Sequence, residues 1–170
     1  LADFQYQRAS EVYSADSVLI GKYYLYDRQP IEYGQFPDHL VEALVAIEDE
    51  RFYDHDGIDA KSLMRVFFKS LLLQDESAGG GSTLTQQAAK NLFLTPERSF
   101  KRKMQEVLLA LWLERKFSKD QILTIYLNRV YLGAGTYGVD AAARKYFGKS
   151  AKRLILYESA LLAGLLKAPS

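Results

Sequence analysis

At 170 residues, with 48% apolar and 25% charged side chains, the chain has the size and composition of one folded domain, which excludes a disordered segment. A net charge of +1 removes any global electrostatic case for nucleic acid, so a basic surface must be local. Cysteine is absent, which excludes thiol catalysis, cysteine-ligated zinc and disulfides, and the longest apolar run, residues 107–113, is far shorter than the about 20 residues of a membrane span.

Residues 1–36 are the least informative and read as a lead-in. Alternation over residues 17–26, followed by Pro30 and then Ile31, Glu32 and Tyr33, predicts one or two short strands. Pro37-Asp38 is a helix start, and Leu40, Leu44 and Ile47, with Val41 and Val45, form an apolar face at helical spacing. That helix ends in an unusual run, Glu48-Asp49-Glu50-Arg51-Phe52-Tyr53-Asp54-His55-Asp56-Gly57. Glu48 and Asp49 fall where the helix dipole disfavours negative charge. Local folding gains nothing from acids there, so a general acid/base role competes with a solvated helix end. The Asp54-His55-Asp56-Gly57 piece looks like a scrap of calcium loop, but its glycine is at the wrong offset for an EF-hand.

Residues 58–74 predict a second helix with an apolar end. Lys61, Arg65 and Lys69 recur along it, which suits either a core helix with a solvated basic stripe or a helix resting on a membrane surface. Residues 74–81 cannot continue a helix. Thr83 and Gln86 then form a capping box, and the three preceding glycines make the helix N-terminus a potential anion site. The Walker A ending is missing. Thr95-Pro96 predicts a fourth helix running to about Lys116 and burying Val107, Leu108, Leu111 and Trp112. Arg102 and Glu106 share one of its faces, and Leu109, Ala110 and Leu113 beside Glu106 predict that this acid is partly buried. Ser118 and Gln121 form a second capping box ahead of a helix filled by Ile122, Leu123, Ile125, Tyr126 and Leu127. A glycine loop over 131–138, a short helix over 139–146 and a last helix over 156–167, burying Ala160, Leu161, Ala163 and Leu165, complete a mainly α domain of about seven helices with a minor β element near the N-terminus.

Taken in order, these segments resemble the peptidoglycan glycosyltransferase domain of class A penicillin-binding proteins and monofunctional transglycosylases. The resemblance covers roughly residues 37–169 and leaves 1–36 as lead-in. It rests on Glu48, Asp49, Phe52, His55 and Gly57; on Gly80-Gly81-Ser82-Thr83-Leu84-Thr85-Gln86-Gln87 with Lys90-Asn91; on Arg102-Lys103-Met104-Gln105-Glu106; on residues 119–128; and on Ala141-Ala142 with Tyr146-Phe147-Gly148-Lys149. No charged position departs from the family pattern.

This resemblance implies a lysozyme-like helical fold of two lobes around a cleft, and polymerisation of lipid II into β-1,4-linked glycan with release of undecaprenyl diphosphate. It implies Glu48 as general base and Glu106 as the second catalytic acid. Asp49, Phe52, His55, Ser82, Thr83, Gln86, Gln87, Lys90, Asn91, Arg98, Arg102 and Lys103 are its substrate-site candidates. A divalent cation, Mg2+ or Mn2+, is the only cofactor expected, with no organic cofactor and no metal ligands assigned. The expected partners are lipid II, the lipid-linked growing strand, a membrane surface and other cell-wall synthesis proteins, with no nucleic acid. The expected location is the outer face of the bacterial cytoplasmic membrane, with an N-terminal anchor outside this sequence, which opens on Leu1. The rival enzyme is a lysozyme-like muramidase or lytic transglycosylase, which needs no diphosphate site, and the non-enzyme rival is a sugar- or lipid-binding module.

Overall fold

The computed structural model of the protein describes residues 10–13, 19–23, 30–73, 81–93 and 97–166. Among them are seven α-helices and one antiparallel hairpin, β1 (Ser10–Tyr13) paired with β2 (Leu19–Tyr23). The mainly α class with a minor N-terminal β element is therefore what the chain adopts. The hairpin begins earlier than the alternation predicted, and Tyr33–Gln35 is a single 3-10 turn instead of a strand. Pro30 and Gly34 beside it both oppose strand pairing. The rest of the predicted strand region, residues 24–29, lies outside the described residues.

Helix α1 (Asp38–Glu48) starts after Pro37 and buries Leu40, Val41, Leu44 and Val45, packing on α7 (Leu156–Leu165). Helix α2 (Ala60–Leu73) starts two residues later than its apolar pattern predicted, because Asp59 acts as its cap. The Asp59 side chain accepts from the Lys61 N–H at 3.1 Å and its carbonyl accepts from the Leu63 N–H at 3.0 Å. The end predicted at Gln74 lies outside the described residues. Helices α3 (Leu84–Leu92), α4 (Phe100–Lys116) and α5 (Lys119–Arg129) form the centre, with α3 lying against both of the others. On α5 every residue from 122 to 128 except Thr124 is buried, as a helix covered on all sides requires. Each fully buried Leu or Ile there contributes about 1.5–3 kcal/mol.

Asn128 on α5 ties the lead-in to this centre. Its Nδ2 donates to the Ile31 carbonyl and its Oδ1 accepts from the Ile31 N–H, both at 2.8 Å, and Ile31 and Phe36 are core residues. Helix α6 (Val139–Phe147) packs on α5 and α7. It is entered through Gly138, whose φ is 89° and where a Cβ would stand 2.6 Å from the Asn128 carbonyl oxygen. Only glycine allows that approach.

Three predicted details are corrected. Helix α4 starts at Phe100, capped by Ser99, whose hydroxyl accepts from the Arg102 N–H at 3.1 Å; of the predicted start, residues 94–96 lie outside the described residues. Its buried face is Glu106, Ala110 and Leu113, while Leu108 and Trp112 are 63% and 45% exposed and Val107 and Leu111 only partly covered. On α7 the buried apolar residues are Leu162 and Ala163, whereas Ala160 and Leu161 are exposed and Leu165 half-buried. Both helices are apolar on more than one face, so periodicity alone did not say which face meets the core.

Candidate active site

Glu48 is the last residue of α1 and lines a cleft of about 630 Å³ that also takes in Asp49, Arg51, Asp59, Arg65, Ser82, Thr83 and Gln87. One of its carboxylate oxygens, Oε2, accepts from Gln87 Nε2 at 3.3 Å. The other, Oε1, is shielded from solvent and accepts no hydrogen bond from the described residues. A carboxylate at the wall of a cleft, held there by one hydrogen bond, is in a position open to acid/base chemistry.

The chain after Glu48 is fastened to the start of α3. Asp49 Oδ2 accepts from the Leu84 N–H at 2.9 Å and from His55 Nε2 at 2.7 Å. The Gly57 N–H donates to His55 Nδ1 at 3.1 Å, and since a backbone N–H can only donate, the ring proton sits on Nε2, facing Asp49. The Thr83 hydroxyl donates to the Gly57 carbonyl at 2.6 Å and accepts from the Gln86 N–H, while Gln86 Oε1 accepts from the Thr83 N–H at 2.9 Å. The predicted capping box thus also closes the loop. Phe52, fully buried, stands edge-on to His55. Lys119 Nζ lies 4.5 Å over the Phe52 ring and donates to the His55 carbonyl at 2.5 Å and to Glu114 at 2.7 Å. Glu114 also accepts from the Thr85 hydroxyl at 2.7 Å. Gly57, with φ 99°, passes so close to α4 that a Cβ would meet the Ala110 carbonyl oxygen at 3.3 Å.

The second carboxylate, Glu106, is buried on α4 and meets Lys103 Nζ at 3.4 Å. The same ammonium donates to Ser82 Oγ at 2.9 Å, which brings Lys103 and Glu106 to the Ser82 side of the cleft. Arg102 lies with its guanidinium 4.2 Å over the Phe93 ring and pairs with Glu97 at 3.5 Å. Lys90 is exposed in the last turn of α3, Asn91 is half-buried beside it, and Arg98 is exposed ahead of α4. These four, Lys90, Asn91, Arg98 and Arg102, do not line the cleft. The structure therefore gathers Glu48, Asp49, Ser82, Thr83 and Gln87 directly, adds Lys103 and Glu106 through Ser82, and sets Phe52, His55 and Gln86 behind them as buried supports. Of the remaining acids of the first motif, Glu50, Asp54 and Asp56 are exposed.

Five participants were missed by sequence reasoning. Arg51 lines the cleft and pairs with Asp59 at 3.3 Å. Burial opposes the Asp59 charge, but the hydroxyl and N–H of Ser62, the Arg51 charge and the Lys61 N–H outweigh it and hold the carboxyl below its usual range. Arg65, read only as part of a basic stripe, also lines the cleft. Tyr126, read only as core, sends its hydroxyl to Gln87 Oε1 at 3.4 Å. Glu114 had no signal beyond lying one helical turn before Ser118. Among the described residues no three His, Asp or Glu side chains converge as a metal cage, and no helix is long and apolar enough to cross a membrane.

The chain is 48% identical over its whole length to penicillin-binding protein 1A of Pseudomonas aeruginosa and 46% identical over its whole length to penicillin-binding protein 1A of Escherichia coli. It is 44% identical over 95% of its length to penicillin-binding protein 1F of Bacillus subtilis. It spans 21%, 20% and 22% of those relatives' lengths, respectively. The transglycosylase family pattern matches residues 16–170. With Glu48, Asp49, Ser82, Thr83 and Gln87 gathered in one cleft behind a capped loop, the chain belongs to the transglycosylase family and forms its peptidoglycan glycosyltransferase domain.

Proposed function

We propose that this domain polymerises lipid II by inverting single displacement with Glu48 as the base. The observation that carries the reading is the Glu48 carboxylate lining the cleft and oriented at Oε2 by Gln87. Glu48 takes the proton from the 4-hydroxyl of the acceptor lipid II. The oxygen attacks the anomeric carbon of the lipid-linked strand from the face opposite its diphosphate. The carbon–oxygen bond breaks, its electron pair leaves with undecaprenyl diphosphate, and an α-linked donor becomes a β-linked product. Proton removal of this kind contributes roughly 10²–10⁴-fold. Lys103, shared between Ser82 and Glu106, meets the charge that develops on the leaving group, with Arg102, Lys90 and Arg98 as the further cations of that flank. Glu106 holds Lys103 in place. A Mg2+ or Mn2+ ion in the reaction would find one protein carboxylate there, Glu106, and take its other ligands from phosphates and water.

The lipid tails of both substrates place the reaction at a membrane surface, at the outer face of the cytoplasmic membrane and beside other cell-wall synthesis proteins. Helix α2 supports this. Leu63, Met64, Phe67, Phe68, Leu71 and Leu72 are all exposed there beside Lys61, Arg65 and Lys69, which favours the membrane-surface reading over the core one. On α4, Phe100, Met104, Leu108 and Trp112 are exposed one turn apart.

Incubation with lipid II, and separately with purified peptidoglycan, tests the reading, with Mg2+ or a chelator in parallel arms. Polymer is expected from lipid II alone, and Glu48→Gln is expected to abolish it while substrate binding persists. Soluble fragments from peptidoglycan without polymer from lipid II would overturn it in favour of a muramidase, and undiminished polymer in Glu48→Gln would remove Glu48 as the base.

A further inference from the structure

Tyr126 connects the packed centre of the domain to the base. It is 1% exposed on α5, and its hydroxyl reaches Gln87 Oε1 at 3.4 Å while Gln87 Nε2 reaches Glu48 Oε2 at 3.3 Å. The direction of this chain is dictated from its cleft end. A carboxylate oxygen only accepts, so the amide must turn its NH2 to Glu48. That leaves Gln87 Oε1 facing Tyr126, and the phenol must donate. A carboxamide reversed by half a turn has almost the same shape, and it would put its carbonyl oxygen against the carboxylate. Gln87 is only half-buried, so packing does not choose between the two orientations. The carboxylate does, and the hydroxyl of Tyr126 then holds the oxygen end of the amide.

The ring of Tyr126 needs no oxygen to pack, since it is buried between Ile125 and Leu127 in the core of the domain. A buried hydroxyl nevertheless needs a partner, and among the described residues Gln87 Oε1 is the one that Tyr126 has. Burial, and then the charge of Glu48, push the phenol's titration upward, so it keeps the proton it donates. We propose that Tyr126 is a positioning residue for glycosyl transfer: through Gln87 it fixes Glu48 Oε2 and so sets the carboxylate against the cleft where the acceptor hydroxyl arrives. This rests on Glu48 being the base.

A double-mutant cycle tests it. Tyr126→Phe keeps the ring and removes the oxygen; Gln87→Met removes the amide at similar length. Tyr126→Phe is expected to lower kcat for lipid II polymerisation about five- to tenfold, the scale of one lost hydrogen bond, with KM unchanged. In the Gln87→Met background the same substitution is expected to change kcat no further, because the group it acts through is gone. An unchanged kcat in Tyr126→Phe, or an equal loss in both backgrounds, overturns the proposal, the second outcome assigning the hydroxyl to folding. Glu48→Gln is run alongside. If it polymerises normally, the base assignment fails and Tyr126 loses its role with it. If it is inactive while the cycle is additive, only the Tyr126 proposal fails.

Discussion

Asp49 and Lys103 flank the same cleft and are held in different ways. Asp49 is 9% exposed, and its Oδ2 is shared between the first N–H of α3 and the His55 ring, with Gly57, Thr83 and Lys119 fastening the surrounding loop. The Lys103 side chain is 49% exposed on a flexible stem, and among the described residues its ammonium meets Ser82 and Glu106. The contrast follows from what each would do in the proposed reaction. Asp49 fastens the loop behind the proposed base, Glu48, and a base has to meet one proton within a few tenths of an ångström. Lys103 is proposed to meet charge on a departing diphosphate, which is felt through a Coulomb term that falls slowly with distance, so a cation that follows the group serves as well as one held rigidly.

The strongest way to break this contrast is at Asp49. Asp49→Ala leaves the Leu84 N–H and His55 Nε2–H buried without an acceptor, about 1–3 kcal/mol for each. It is expected to lower Tm by several degrees and polymerisation by at least about a hundredfold, read by calorimetry and by the lipid II assay on the same preparation. Parent-like Tm and activity would show that the loop is not what aims Glu48. Lys103→Ala should behave oppositely. Its pair with the buried Glu106 is open to solvent at the lysine end, which screens it, so Tm should move less than in Asp49→Ala, while affinity for a diphosphate-bearing donor analogue should fall about tenfold or more and lose part of its salt dependence. A Tm loss matching that of Asp49→Ala would erase the distinction between the two flanks.

How far these features were legible depends on the span of the interaction. Both capping boxes were readable and both formed, because Thr83 with Gln86 and Ser118 with Gln121 need only three residues of chain. The burial of Glu106 was readable for a similar reason: Ala110 and Leu113 follow it at four and seven positions, on the same helical face. The links that shape the site cross longer distances in sequence. Asp49 meets the N–H of Leu84, Lys119 meets His55, and Tyr126 meets Gln87, separations of 35, 64 and 39 residues. No local period encodes such a partner, and a tyrosine at a core position of α5 looks the same in sequence whether or not its hydroxyl has work to do. The outward turn of Leu108 and Trp112 was illegible for another reason. A helix that meets the core on one side and an apolar surface on the other carries two apolar faces, and composition does not rank them.

Arg51 offers the finest comparison, because it is a cation of the cleft that faces a carboxylate more deeply buried than Lys103's. Its Nε lies 3.3 Å from Asp59 Oδ2, and Asp59 is 2% exposed and also accepts from Ser62 Oγ at 2.6 Å. Burial acts to raise the Asp59 carboxyl, but its hydrogen bonds and the Arg51 charge prevail and bring it below the ordinary value of 3.8. A carboxyl depressed in the folded state binds fewer protons there than in the unfolded chain. Its contribution to stability is therefore present above the unfolded value and is lost as pH falls through the folded one. Asp59→Asn should accordingly flatten the acid limb of the Tm–pH curve below about pH 4 and leave its neutral portion nearly parallel to the parent's. It should lower that neutral portion by the contribution lost and also free Arg51, so the salt dependence of substrate binding should change at neutral pH as well. An acid limb identical to the parent's would mean that Asp59 does not anchor Arg51, and that this cation, like Lys103, finds its ligand unaided.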